Sequence, residues 1–216
     1  MNESKKEAEG IKSRFIICCI PLSWQFIPVD FFQSWCRMVG YSVGRYQLGM
    51  ITASCCYMDK MRDDLVRDSL KNNPDYLLWL DADQMYPPDT PERLMRHIDA
   101  GRLVVGGLTP DRGSGEPLVY EMAPGNKGVI KRDDVTVGQG LIKVDAMGFG
   151  GIMTSPEVFK IMKPPYFQMT WNRKLKGTIG EDVKFYQNCK HYGIDVWCDT
   201  NLLYEHLNTV PVKLKL

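Results

Sequence analysis

At 216 residues, 44% of them hydrophobic and 25% charged, the chain has the size and apolar content of one large globular domain, with a possible second smaller part. Lys and Arg number 27 against 26 Asp and Glu, so the formal net charge of +1 predicts no strong field for nucleic acid or anionic membrane. No apolar run approaches the length of a membrane-spanning helix, and Phe15 to Ile20 is too short a run before Pro21 to serve as a signal segment.

In chain order, residues 1–12 are polar, with three glutamates among the first ten, and are expected to be disordered. Arg14 to Ile20 reads as a first strand closed by Pro21, which puts Pro21, Leu22, Ser23 and Trp24 at its carboxyl end. Val29 to Met38 has helical spacing and a stop at Gly40, and Tyr41 to Met50 is a candidate second strand. Asp59 to Asn72 is an amphipathic helix stopped by Asn72-Asn73-Pro74. Tyr76 to Leu80 is a short continuous apolar run, the pattern of a strand buried on both faces, and it leads directly into Asp81-Ala82-Asp83. Thr90-Pro91-Glu92 reads as a helix start with Thr90 as N-cap, the helix ending at Gly101, and Leu103 to Val105 as a further strand. Strands alternating with helices predict an α/β fold with a mostly parallel central sheet.

Residues 106–140 change character, rich in Gly, Pro and charge, with β-like runs at Leu118 to Glu121 and Val129 to Lys131. Leu141 to Met147 reads as one strand before the turn Gly148-Phe149-Gly150-Gly151. Ser155-Pro156-Glu157 opens a helix that Lys163-Pro164-Pro165 ends, and Tyr166 to Gly177 is a loop bearing Trp171. Thr178-Ile179-Gly180-Glu181 matches a capping box, opening a helix to His191 with Gly193 as stop. Ile194 to Cys198 is a last strand, with His206 in the coil beyond. The seven cysteines lack Cys-x-x-Cys spacing and read as reduced packing residues, which with the absence of a targeting segment gives a cytoplasmic expectation.

Side chains alternate along a strand, so Asp81 and Asp83 are expected to project to one side where their strand ends. Two carboxylates there make a half-site for a hard divalent cation, Mg²⁺ or Mn²⁺; a solvated acidic turn is the plain alternative. Four features stand in order: Asp81-Ala82-Asp83 after DYLLWL, the turn VDAMGFGGIM, the helix GEDVKFYQNCKHYG, and the histidine of EHL. With the arginine of KMRDDLV, this set resembles the GT-A class of nucleotide-sugar glycosyltransferases, most closely the small enzymes grouped with glycosyltransferase family 2, from about Arg14 to His206.

The resemblance implies a Rossmann-like GT-A sheet flanked by helices with a smaller antiparallel element. Residues 13–216 would form a single domain, 13–105 the nucleotide-binding half and 106–216 the acceptor and catalytic half. It implies transfer of a sugar from a nucleoside-diphosphate sugar to an acceptor hydroxyl; with Asp182 as base the expected outcome is inversion, while the fold class supports retention as well. Asp81, Asp83 and His206 would hold the metal, and Asp182 would be the general base. Glu181 shares that acidic pair, although its capping-box position gives it a structural role as well. Pro21 and Ser23 would lie against the nucleoside, Arg62 near the diphosphate, and Gly150 and Gly151 against the donor sugar. Arg112 would reach the sugar or its phosphates, and Trp171 offers a flat face for a sugar ring. No acidic residue lies between Ser42 and Thr52, where relatives read the nucleobase, so the donor base stays open. The acceptor, whether glycan, protein side chain or hydroxylated DNA base, stays open too. Two other readings share these residues: a metal-dependent nucleotidyltransferase or pyrophosphatase, and a non-catalytic nucleotide-sugar-binding module.

Overall fold

The computed structural model describes residues 14–23, 26–54, 57–124, 128–173 and 176–208. The expected disorder of residues 1–12, and Trp24, Cys55 and Cys56, lie outside the described residues.

The amino-terminal half alternates as its apolar periodicity predicts. Strand β1 (Phe15–Pro21) is followed by α1 (Val29–Ser42), β2 (Gln47–Ala53), α2 (Met58–Leu70) and β3 (Tyr76–Trp79). Helix α1 does not stop at Gly40. It runs on to Ser42, and the left-handed residue that turns the chain is Gly44, at φ 75°. The second strand is correspondingly later than Tyr41 to Met50. Asn73, at φ 48°, makes the left-handed turn after α2, a conformation asparagine tolerates through its short polar side chain. Next come the two-residue β4 (Gln84–Met85), α3 (Thr90–Asp99) and β5 (Val104–Leu108). The N-cap of α3 is Asp89 rather than Thr90; the Thr90 side chain is fully buried and its hydroxyl makes no hydrogen bond.

The carboxyl-terminal half is more broken. It contains β6 (Val119–Met122), β7 (Val129–Lys131), β8 (Leu141–Val144), β9 (Ala146–Met147), β10 (Ile152–Thr154) and α4 (Glu157–Ile161). Then follow β11 (Thr170–Asn172), β12 (Gly177–Ile179), α5 (Glu181–His191), β13 (Val196–Leu203) and β14 (Glu205–His206). The run Leu141 to Met147 is thus two strands in two sheets, because β8 pairs with β13 while β9 pairs with β6. Trp171 lies on a hairpin, its strand paired with β12, rather than in an open loop.

The main sheet has the order β2-β1-β3-β10-β5-β13-β8. Strands β2, β1, β3, β5 and β13 run parallel, while β10 and β8 run against them. Both faces are covered, as a mostly parallel sheet requires. Ile17, Cys19, Leu77 and Trp79 join one core layer, and their neighbours Ile16, Cys18, Tyr76 and Leu78 join the other. Cys18, Cys19, Cys189 and Cys198 are buried and unbridged, whereas Cys36 is exposed. Among the described residues no helix is long and apolar enough to cross a membrane.

Candidate active site

The parallel strands β1, β3, β5 and β13 deliver their carboxyl ends to one edge of the sheet, where open α/β sheets bind ligands. Past those ends lie Pro21 and Ser23, Asp81 and Asp83, Arg112, and His206. Pro21, Leu22, Ser23, Phe26, Pro28, Met58, Asp81, Ala82, Asp83 and Arg112 line a cavity of about 270 Å³.

Asp81 and Asp83 do not continue the alternation of β3. The strand ends at Trp79, and the chain folds into a turn in which Gln84 N–H donates to the Asp81 carbonyl at 3.2 Å. The Asp81 N–H donates to the Tyr86 hydroxyl at 2.9 Å, and the Tyr86 ring packs edge-on against Tyr204 at 5.0 Å. The two carboxylates therefore take different partners. Arg62 Nη2 donates to Asp81 Oδ1 at 3.1 Å, and Arg62 Nε lies 3.3 Å from Glu181 Oε1. Arg62 is only 3% exposed, and its guanidinium stacks 4.3 Å from the Phe149 ring centre, inside a cluster with Phe167 and Phe185. Burial works to lower the pKa of Arg62, but Asp81, Glu181 and Asp182 outweigh it and hold the guanidinium above its ordinary value. Burial also pushes the Asp81 and Glu181 carboxyls up, against the pull of Arg62.

Asp83 faces the other way. It accepts a hydrogen bond from Arg112 Nη2, and its Oδ1 is 3.8 Å from His206 Nε2. Burial works to raise its carboxyl, and His206 and Arg112 together hold it below the usual range. His206 reaches this position through a short ladder: β14 pairs with β4, and Leu207 N–H donates to the Asp83 carbonyl at 2.7 Å.

Asp83 and His206 fit a hard divalent ion as a partial donor set. Their 3.8 Å separation is one that an ion about 2.0–2.2 Å from each donor can span. Among the described residues no group of three His, Cys, Asp or Glu side chains is arranged to hold a metal, and Asp81 is committed to Arg62. An Mg²⁺-like ion commonly takes only one or two protein carboxylates, completing its shell with phosphate and water.

The other expected residues fall in varied places. Asp182 opens α5 beside Glu181, and its Oδ1 accepts the Val183 N–H at 2.7 Å. The capping box does not form: the N-cap is Gly180, Thr178 belongs to β12, and no side chain caps the helix. Glu181 turns inward because the buried Arg62 is the stronger partner. Gly150 and Gly151 do not line the cavity. Their lack of a side chain answers to internal packing, since a Cβ at Gly150 would meet the Gln84 amide at 2.5 Å and one at Gly151 the Tyr204 ring at 2.1 Å. Arg62 supports the carboxylates from behind and is not among the cavity-lining residues. Trp171 is 65% exposed, so its ring is not part of the core. Tyr86 and Gln84 hold the turn between Asp81 and Asp83. Sequence reasoning missed both, and nothing in a lone tyrosine and glutamine marks them.

No protein-family profile matches the sequence, and no curated protein matches it. Solved structures do. The protein A197 from STIV superposes with a TM-score of 0.61 at 16% identity, over 90% of this chain and 86% of that one. A mutant Drosophila β1,4-galactosyltransferase 7, solved with manganese, UDP-Gal and xylobiose, superposes with a TM-score of 0.53 at 12% identity, over 90% of this chain and 71% of that one. The chain has the GT-A fold of glycosyltransferases, with a large, mostly parallel sheet, flanking helices and small antiparallel sheets.

Proposed function

We propose that this protein is a metal-dependent glycosyltransferase that moves a sugar from a nucleoside-diphosphate sugar to an acceptor hydroxyl with inversion. The observation that carries this reading is the meeting of Asp83, after β3, with His206, after β13, at the rim of a cavity on the sheet's ligand-binding edge. The manganese and UDP-Gal bound by the Drosophila structure support the same donor class and an Mn²⁺ or Mg²⁺ ion here.

In this mechanism Pro21, Leu22 and Ser23 form the wall against the nucleoside, and Arg112 lies where a guanidinium can take phosphate oxygens. Asp83 and His206 would hold the divalent ion, which when bound offsets the charge that grows on the departing diphosphate. Asp81 is kept in place by Arg62 rather than acting as a principal ligand. Asp182 is the general base. It lies in the first turn of α5, and unlike Glu181 it is not drawn into the Arg62 pair. It takes the acceptor proton as the acceptor oxygen bonds to the anomeric carbon and the bond from that carbon to the diphosphate oxygen breaks. Displacement from the opposite side inverts the anomeric centre. In the same reading residues 13–105 form the nucleotide-binding half, residues 106–216 add Arg112 and His206 at the diphosphate and supply the base and the acceptor surface, and the exposed Trp171 ring stacks on an acceptor sugar.

The test is a thermal-shift screen of nucleotide-sugars with and without Mn²⁺, followed by assay of the nucleotide released from the best stabiliser. Release of nucleoside diphosphate together with a glycosylated acceptor is the expected result. Release of nucleoside monophosphate would point to pyrophosphatase chemistry, and binding without turnover to a non-catalytic module.

A further inference from the structure

Arg112 Nε donates to His206 Nε2 at 2.8 Å while its Nη2 donates to Asp83. His206 Nδ1 is 3.0 Å from the Pro110 carbonyl oxygen, which can only accept, so the imidazole proton of this contact sits on Nδ1. In the neutral ring the Nε2 lone pair then faces the guanidinium. That single lone pair cannot accept from Arg112 and ligate an ion at once. One guanidinium thus occupies both donors that a divalent ion would need.

The surroundings make the contact exchangeable. The backbone of the loop is pinned by Asp111, whose Oδ1 accepts the N–H groups of Gly113 at 2.9 Å and Ser114 at 2.8 Å. The side chain of Arg112 is 46% exposed and lines the cavity, so it can swing without moving the loop and still reach a ligand there. Removing its charge altogether would leave Asp83 without its guanidinium partner, next to an acidic group, Asp81, Glu181 and Asp182, that has Arg62 as its cation, an arrangement that attracts a divalent cation.

We propose that Arg112 is a resident counter-cation of the Asp83–His206 pair, displaced when a divalent ion arrives with the nucleotide, so that the free protein resists taking up the ion alone. This rests on the metal-dependent reading above. Arg112 then has two positions, one on the carboxylate and imidazole and one on the diphosphate, and it sets the order in which ion and donor bind.

The experiment is titration of the full chain with MnCl₂, followed by electron paramagnetic resonance of free Mn²⁺, with and without uridine diphosphate. Without nucleotide, Arg112→Ala is expected to bind Mn²⁺ at least about tenfold more tightly than wild type, the scale of one charge-assisted contact. The added substitution Asp83→Asn should abolish that gain. Uridine diphosphate should tighten Mn²⁺ binding more in wild type than in Arg112→Ala. Equal Mn²⁺ affinity in wild type and Arg112→Ala, with binding still lost in Asp83→Asn, overturns the exchange and leaves the metal reading standing. Mn²⁺ binding indifferent to Asp83 in every background overturns both. A purely structural Arg112 would change thermal stability without changing Mn²⁺ affinity, which likewise overturns the exchange.

Discussion

Around Asp81 the partners are buried and fixed: Arg62 on one side, Tyr86 on its backbone, and the Phe149 cluster behind. Around Asp83, two residues on, the partners are Arg112, a half-exposed side chain from a distant loop, and His206, a more enclosed one on β14. The first region is a buried scaffold, and in the function proposed here the second is where the ion docks. The motif therefore divides its labour by depth, and the difference can be tested by substituting on each side.

The largest effect is expected on the buried side. Arg62→Met leaves the Asp81 and Glu181 carboxylates without their partner, which costs about 3–5 kcal/mol of stability, read from urea denaturation. Arg112→Ala breaks a more exposed pair and should cost at most about 1 kcal/mol. Equal losses in the two variants would erase the distinction. Asp182→Asn should lower transfer by about 10²–10⁴-fold with donor binding unchanged, as removal of a general base does. Unaltered turnover in that variant would send the search for the base to Glu181. Beside Asp83, His206→Ala removes one of the two proposed protein donors. It should weaken Mn²⁺ binding by at least about 10–100-fold, the loss typical of an outer-shell partner, as measured by calorimetry with nucleotide present.

Acid titration sharpens the contrast because the two regions carry opposite signs. The Asp83 carboxyl lies below its ordinary value, so its contribution to stability is present above the unfolded value of about 3.9 and fades as pH falls through the folded one. The difference in stability between wild type and Asp83→Asn should therefore rise with pH below about 4 and level off above it. Asp81 is raised by burial, so its difference curve against Asp81→Asn should fall as pH climbs from about 3.9 toward its folded value, whatever constant offset the lost Arg62 contact adds. Urea midpoints across about pH 3 to 6 measure both slopes, and parallel curves would contradict the assignment. The smallest effect is expected at Trp171. Its replacement by Ala should raise the acceptor KM by the equivalent of about 0.5–1.5 kcal/mol of stacking and leave donor KM alone.

Much of the fold was legible because apolar spacing reports burial directly. The runs ending at Pro21 and Leu80 became central strands, and residues near 58–70 and 181–191 became helices whose neighbouring Asn73 and Gly193 adopt positive φ. Helix edges were less legible. Thr90 and Thr178 have the chemistry of N-caps, yet one is packed in the core and the other is drawn into a hairpin, so tertiary pairing overrode local preference. Ile152 to Thr154 is too short to declare itself beside a glycine turn, although it pairs with β3 and β5. At the site, the order of Asp83, Asp182 and His206 could be read in one dimension. The split between Asp81 and Asp83 could not, because it depends on where β3 stops and on an arginine 19 residues earlier.

Strand β10, lodged between β3 and β5, carries a consequence for how the protein is made. When residue 108 leaves the ribosome, β3 and β5 are both complete, but the strand that joins them lies more than forty residues further on. The early part of the chain must wait with β3 open on one edge and β5, whose other neighbour β13 comes later still, open on both, an arrangement that favours slow folding and sticky intermediates. Cutting the gene between the two halves should accordingly give an amino-terminal fragment that aggregates when expressed alone and becomes soluble when the other fragment is supplied in trans.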